Sequence, residues 1–473
     1  MLSLETLNRR VLEAEYAVRG PIVQRAQDLE AQGRKIIYCN IGNPQALKQK
    51  PLTYLRQILS LLEYPELLKS PEAARLFPAD VIRRVQSILA LHPPGTGAYT
   101  QSAGMPFIRK AVAEFITRRD GIPSKAEDVI LTDGASKGVQ AALIALVNNP
   151  NDGVMIPIPQ YPLYSASITL FGGRPIGYQL DEQNHWQLNE EALNDSFRGA
   201  KQNGTNPVAI AVINPGNPTG AVLSQDNIRM IVKFAAANGL AILADEVYQE
   251  NVYATGAKFF SFAKTFTEME ETRVPLFSFH SISKGFWGEC GHRGGYTEFR
   301  NIPPPVMAQL IKLQSISLCA NTAGQLAVLV MVDPPKPGDE SYALYVRERD
   351  SVLRSLKEKA ELLARSVNQI RGMSVEVPQG AMYAFVKFEL PPEHAPAQSV
   401  EERLRRDAER EDAYCLSLLE ETGICVVPGS GFGQAPGTLH FRTTFLPPLE
   451  EIESFVARLK SFHEHYVREL IEA

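Results

Sequence analysis

Between about Glu127 and Ala320, short apolar runs alternate with stretches of helical spacing: DVILT before SKGVQAALIALV, VAIAVI before SQDNIRMIVKFAAAN, then LAILA and VPLFSF. Few folds can absorb that order. A strand buried on both faces has to be covered by helices on both, and parallel neighbours need long crossovers, usually helical. The alternation therefore predicts βαβ units around a mostly parallel sheet, an α/β architecture. In such sheets ligands sit at the C-terminal strand ends. Three of those ends carry polar groups: Asn214 and Asn217 after VAIAVI, Asp245 after LAILA, and Ser281 to Lys284 after VPLFSF.

With 473 residues the chain exceeds the usual range for one core, so two lobes are expected. PPKPGDES, at 334–341, reads as the linker out of the first lobe. Beyond it, Val352, Leu356, Ala360, Leu363 and Val367 recur at helical spacing, as do Ile452, Phe455, Leu459, Phe462 and Tyr466 near the end. MSVEVPQGAMYAFVKF and the segments GICVV and LHFRTTF read as strands between them. The first hundred residues mix helix with proline-rich loops and yield no clean pattern. The expected division is an N-terminal arm with part of the small domain (1–95), a large domain (96–333) and a small C-terminal domain (334–473).

Charge and cysteine usage exclude several function classes. Acidic and basic residues are interspersed, with a formal net charge of -5, so no basic stripe exists to meet nucleic acid. No apolar run reaches the ~18 residues of a membrane span. The acids in MLSLETLNRRVLEAEYAVRG suit neither a signal nor a transit peptide, which points to the cytoplasm, with an organellar form after transit-peptide removal left open. Cys39, Cys290, Cys319, Cys415 and Cys425 are scattered and odd in number, the pattern of buried free thiols rather than of disulfides or a metal site. His463 and His465, in HEH, are read as surface residues of a terminal helix. GSGFG at 429–433 lacks the spacing and the following helix of a dinucleotide loop.

The chemistry gathers at the strand ends. FHSISKGFWGECGHRGGY sets Ser281, Ser283 and Lys284 just past a buried strand and Arg293 in a glycine-rich turn. Taken alone, a lysine there is an ordinary surface residue. A lysine that attacks an aldehyde must do so as the neutral amine, which partial desolvation and a nearby cation favour. Arg293 supplies a cation, and its guanidinium also suits phosphate oxygens, with the Ser281 hydroxyl adding a bond. In DVILTDGASKGVQ a strand, a small-residue turn and a helix follow in order, so Gly134, Ala135 and Ser136 lie at a helix N-terminus fit for an anion. A helix simply capped by Ser136 or Asp133 has the same sequence signature.

NPGNPTG fixes an unusual turn after a buried strand and presents Asn217, although Asn, Pro and Gly are also ordinary turn residues. Asp245, ending an apolar strand, needs a cation if buried, and a protonated aromatic nitrogen would serve; a helix-capping Asp is the plainer reading. Tyr248 stands three residues on, within reach of a ring oxygen. Tyr161 and Tyr164, in PIPQYPLYSA, could stack on a flat ring or simply fill the core. Arg442, in HFRTTF, would pair with a substrate carboxylate or with a buried acid.

In this order NPGNPTG, ADEVY, S-x-S-K and the distal arginine resemble the fold-type-I pyridoxal 5′-phosphate (PLP) enzymes of the aspartate aminotransferase superfamily, across most of the chain. Within it, NIGNPQALKQKPLTYLRQIL, GAYTQSAG, PIPQYPLYSA, DEVYQENVY and GTLHFRTTF are similar to the alanine aminotransferase group, the segments around Gln45 and Gln249 discriminating most. The resemblance implies a PLP-dependent transferase with a large, mostly parallel-sheet domain and a smaller α+β domain. Lys284 would hold PLP covalently, Asp245 pair with its pyridine nitrogen, and Asn217 and Tyr248 contact its phenolic oxygen. Ala135, Ser136, Ser281 and Arg293 would bind its phosphate, Tyr161 stack on its ring, and Tyr99 reach the phosphate of a partner subunit in a homodimer. Gly42 and Arg442 would take the substrate carboxylate, and no metal is implied. The implied partners are amino acids and 2-oxo acids, and the implied reaction is L-alanine with 2-oxoglutarate to pyruvate and L-glutamate, by a ping-pong mechanism. The alternative is another fold-type-I enzyme: an aromatic or glutamate:glyoxylate-type aminotransferase, or a lyase like aminocyclopropane-carboxylate synthase. A PLP-binding transcription regulator would need a helix-turn-helix module, which the N-terminus does not offer.

Overall fold

The computed structural model describes residues 2–16, 18, 20–393 and 396–472. Its strands, in chain order, are β1 Ile37–Tyr38, β2 Val129–Thr132, β3 Asp152–Ile158, β4 Arg174–Asp181, β5 Gln187–Leu188, β6 Asn206–Ile213, β7 Ala241–Asp245, β8 Leu276–Ser281, β9 Gly295–Arg300, β10 Met373–Ser374, β11 Tyr383–Phe388, β12 Ile424–Cys425, β13 Val427–Pro428 and β14 His440–Thr444. The large sheet has the order β2-β9-β8-β7-β6-β3-β4-β5. Its centre, from β8 through β7, β6 and β3 to β4, is parallel, while β9 and β5 run antiparallel to their neighbours.

The period-2 geometry of a strand explains why these runs are apolar throughout. Ile210 and Val212 of β6 join Ile242 and Ala244 of β7 on one face, packed against Ile228, Ile231 and Val232 of the helix Gln225–Asn238. Ala209, Ala211 and Ile213 with Leu243 pack on the other face against Val139, Ala142 and Leu143 of the helix Ala135–Leu146. The helix Gln225–Asn238 is bounded as its sequence suggests: the Ser224 side chain accepts from Asn227 N, and Gly239 follows at φ 67°.

A second, antiparallel sheet, β10-β11-β14-β13, shares one core with the helices Tyr342–Val367, Val400–Thr422 and Leu449–Glu472. The N-terminal residues divide. β1 pairs in parallel with β12, beside that second core, whereas Leu55, Ile58, Leu62, Val81 and Val85 pack with Ile108, Val112 and the buried helix Thr322–Val332. The helix Val400–Thr422 has no counterpart in the sequence expectation. Its charged, solvent-facing residues hide a narrow buried stripe of Tyr414, Cys415, Leu418 and Leu419.

Two expectations are corrected. His463 is buried, because it falls four residues after Leu459 on the core-facing stripe, and its Nδ1 shares a hydrogen bond with Tyr414 Oη at 3.1 Å. Only His465 of the pair is exposed. Cys290 and Cys319 are half-buried instead of buried, while Cys39, Cys415 and Cys425 lie in the core as free thiols.

Candidate active site

A cleft of about 450 Å³ opens where β6, β7 and β8 end. The parallel register makes it: Ile213 lies opposite Asp245, and Asp245 opposite Phe279, so the turns leaving these strands emerge together. Gly42, Ala135, Ser136, Tyr161, Asn217, Asp245, Tyr248, Ser281, Lys284, Arg293 and Arg442 all line this cleft. Tyr99 does not; it is 78% exposed on the surface.

One end is built for an anion. The helix Ala135–Leu146 begins after Gly134, at φ 75°, with no side-chain cap. Asp133, the alternative cap, instead accepts from Asn321 N at 2.6 Å. Lys137 N donates to Gly134 O at 3.3 Å, and the N–H groups of Ala135 and Ser136 are left open among the described residues. Arg293, itself in a left-handed conformation at φ 51°, donates to Asp133 O at 3.2 Å and to Cys290 O at 3.0 Å. It lies so close that a Cβ on Gly134 would be 2.6 Å from its Nη2. Ser281 Oγ donates to Gly294 O at 3.2 Å and stands 2.9 Å from Ser283 Oγ.

Deeper in the cleft, Asp245 is buried and does not cap a helix. It accepts from Tyr164 Oη at 3.1 Å and weakly from Val247 N at 3.5 Å. Burial pushes its carboxyl up to about 6, since these bonds and the charge of Lys284 only partly offset the lost solvation. Tyr164, one of the two stacking candidates, is fully buried beneath it; Tyr161 reaches the cleft, its hydroxyl 2.7 Å from that of Tyr16. Tyr248 is buried with its hydroxyl 3.5 Å from that of Tyr383.

Lys284 Nζ donates to Gly42 O at 2.8 Å. Gly42 is required there: a Cβ would overlap the Tyr383 hydroxyl and lie 3.2 Å from Nζ. Arg442 is 1% exposed and, among the described residues, forms no salt bridge, so the buried-acid alternative is not realised. Its Nη1 donates to Asn217 Oδ1 at 3.0 Å and its Nη2 to Asn40 O, while Nε has no partner among the described residues. Its guanidinium carbon stands 4.2 Å from the ring centre of Tyr383 and 4.6 Å from that of Phe432.

Sequence reasoning missed Tyr16, Val18, Cys290 and Tyr383, all of which line the cleft. Tyr383 had one available signal, a hydroxyl in the otherwise apolar run AMYAFV. It also missed Asn251, which bonds both to Gly285 N at 2.7 Å and to Gly285 O at 3.2 Å, pinning the backbone beside Lys284. Gln45 and Gln249 do not line the cleft. They accept from Arg56 at 2.8 Å and from Arg119 at 2.8 Å, respectively.

The cleft thus offers an anion cradle, a buried carboxylate with no salt bridge among the described residues, a primary amine and a desolvated guanidinium. The sequence model described as aminotransferase class I and II matches residues 70–459. The chain is 47% identical to a probable mitochondrial alanine aminotransferase of Dictyostelium discoideum, over 98% of this chain and 89% of the relative. It is 45% identical to glutamate–glyoxylate aminotransferase 2 of Arabidopsis thaliana, over 98% and 96%. Among solved structures, an alanine aminotransferase from Pyrococcus furiosus superposes with a TM-score of 0.75 at 28% identity, over 97% of this chain and 100% of that one.

Proposed function

Since this chain belongs to the class I and II aminotransferase family, we propose that it transfers the amino group of L-alanine to 2-oxoglutarate, giving pyruvate and L-glutamate, with PLP as cofactor. The observation that carries this is Asp245, a buried carboxylate that forms no salt bridge among the described residues, in the same cleft as the Lys284 amine. The residues present fit PLP. The open helix start and Arg293 suit a phosphate dianion, Asp245 suits a protonated pyridine nitrogen, and Lys284 suits an aldehyde.

When bound, PLP supplies an aldehyde that condenses with amines and a ring that accepts the electron pair left when the substrate Cα–H bond breaks. Ala135, Ser136, Ser281 and Arg293 would hold the phosphate, Asn217 and Tyr248 the phenolic oxygen, and Tyr161 would contact the ring. Arg442, with Gly42, orients the substrate carboxylate. Lys284 Nζ would hold the cofactor through its aldehyde and, as a free amine, would serve as the base that takes and returns the substrate Cα proton. The amino group stays on the enzyme between two half-reactions, so double-reciprocal plots should be parallel; convergent lines would overturn the scheme.

Tyr16, Val18, Tyr161 and Tyr383 wall the substrate end, which supports a small side chain, and the name of the Dictyostelium discoideum relative supports alanine. The Arabidopsis thaliana relative favours glyoxylate as a second acceptor to examine. Alanine, glutamate and aromatic donors should be assayed side by side, with 2-oxoglutarate and glyoxylate as acceptors. The alanine and 2-oxoglutarate pair is expected to give the highest kcat/KM; a higher value for another pair would replace this assignment.

The active form in this proposal is a homodimer in which Tyr99 reaches the partner's phosphate site, a role its exposure supports. Light scattering on the purified chain tests it. Among the described residues no helix is long and apolar enough to cross a membrane. The proposed location is the cytoplasm, or an organelle after transit-peptide removal, and fractionation decides between them.

A further inference from the structure

Lys284 and Arg293 stand at the two ends of one loop, and the cofactor proposed above has to meet both, its aldehyde at the first and its phosphate at the second. Arg293 follows Lys284 by nine positions, with Gly285 and Gly288 between them in left-handed conformations at φ 64° and 63°. A loop of this kind is costly to hold still. Its one carboxylate, Glu289, is 2% exposed and sits in the grip of another segment. Arg56, on the helix Thr53–Glu63, donates to it with a fork, Nε to Oε1 at 3.1 Å and Nη2 to Oε2 at 2.9 Å. His292 Nδ1 shares a hydrogen bond with the same Oε2 at 2.9 Å. Burial opposes ionisation of this carboxyl, but the His292 bond and the charge of Arg56 outweigh it and hold it below the ordinary carboxylate range. The backbone carries the grip to both ends of the loop. Glu289 N donates to Ile282 O at 3.0 Å, two residues before Lys284, and His292 N donates to Glu289 O at 3.2 Å, one residue before Arg293. Arg56 is itself steadied by Gln45, whose Oε1 accepts from Nη2 at 2.8 Å, and Gln49 Nε2 donates to Phe286 O at 3.0 Å.

Resting on the PLP reading above, we infer that Glu289 is a positioning residue for the cofactor phosphate: gripped by Arg56 and joined to His292, its carboxylate fixes where Arg293 stands relative to Lys284. Neither Glu289 nor Arg56 lines the cleft. Both act through the loop, which lets phosphate and aldehyde be met at once. An arginine suits this task because its planar fork sets the orientation of a carboxylate, whereas a lysine ammonium supplies charge alone. Gln45 gains a purpose too, as the residue that orients the fork from the N-terminal segment.

The test compares PLP with pyridoxal, the same aldehyde without the phosphate, on cofactor-free full-length wild type, Glu289→Gln and Arg56→Lys. Binding is read from the visible absorbance of the ligand on the folded chain. Glu289→Gln should weaken PLP roughly 10–100-fold, the worth of hydrogen bonds to a charged group. Arg56→Lys, which keeps the charge and loses the fork, should weaken it less, by about 3–10-fold. Pyridoxal, which uses Lys284 without Arg293, should bind all three chains within about twofold. A residue that serves the fold alone would weaken both ligands by the same factor or lower only the unfolding midpoint, and either result overturns the inference. Unchanged PLP affinity overturns it as well. Arg56 is 44% exposed, so Arg56→Lys keeps the test open if Glu289→Gln folds poorly. A wild type that binds no PLP would sink the proposed function itself; a wild type that binds PLP, beside variants that lose PLP and pyridoxal equally, sinks only the positioning role.

Discussion

The helices Val400–Thr422 and Ala135–Leu146 both begin beside a serine, and they begin differently. Ser399 caps the helix Val400–Thr422, its hydroxyl accepting from Glu402 N at 3.1 Å. Ser136 stands in the first turn of the helix Ala135–Leu146, which starts after a glycine with no side-chain cap at all. Two buried carboxylates repeat the contrast. Glu411, on the capped helix, accepts from Ser430 N and His440 N, each at 2.6 Å. Asp245, in the cleft, is held only at 3.1 and 3.5 Å. Away from the cleft, these polar groups close the fold. Inside it the same residue types are left open, which costs stability until a ligand that binds the folded state restores it.

If that division is right, substitutions on its two sides should affect different measurements. The largest effect is at Lys284. Lys284→Ala should lower turnover by about 10⁴-fold or more, with the unfolding midpoint of the cofactor-free chain unchanged. A midpoint that fell with activity would make this lysine a structural residue.

Glu411→Ala probes the other side. It orphans the buried His440 N–H and the half-buried Ser430 N–H, and at about 1–3 kcal/mol for a buried group urea unfolding should show a loss of about 2–4 kcal/mol. PLP affinity of the folded fraction should stay within about twofold, since each 1.4 kcal/mol is only tenfold in affinity and the cleft is untouched. A variant of normal stability that no longer binds PLP would erase the contrast.

Asp245 supplies the pH-dependent test. Its carboxyl is raised from 3.8 to about 6 in the folded chain, so the fold holds the proton more tightly than the unfolded chain does. That contribution is complete below the unfolded value and disappears as pH rises through the folded one. Relative to Asp245→Asn, the cofactor-free wild type should therefore lose roughly 3 kcal/mol between about pH 4 and pH 7. PLP should cancel the difference by placing a cation on the carboxylate. Parallel pH profiles for the two chains would remove Asp245 from the argument.

Much of the cleft was legible because a parallel sheet converts chain order into position. Once VAIAVI, LAILA and VPLFSF are strands, Asn217, Asp245 and Lys284 have to meet at their ends. The second region was less legible for two reasons. The strip that the helix Val400–Thr422 buries is narrow, and its many charges mask the helical period. Residues such as Tyr383 and Tyr16 reach the cleft from distant segments through tertiary packing. An aromatic in AMYAFV that faces charge looks, in sequence, like one that faces core. His463 shows the converse: two histidines one residue apart suggested a solvated end, but the 3.6-residue period puts only one of them in water.

The smallest effects sharpen the comparison most, because they place one chemical change at both helix starts. Ser399→Ala removes a hydroxyl that satisfies a backbone N–H, so it should lower stability by about 1 kcal/mol and leave PLP affinity alone. Ser136→Ala removes a hydroxyl that caps nothing. The cofactor-free chain should unfold as wild type does, within about 0.5 kcal/mol, the range of substitutions that break no structural bond. Its affinity for PLP should fall by a factor of about 2–10, the value of one hydrogen bond. Both are read by the same pair of measurements, urea unfolding without cofactor and a PLP binding isotherm. If the two serines exchanged these effects, the open helix start would be an ordinary capped one, and the phosphate site would have to be built from Arg293 and Ser281 alone.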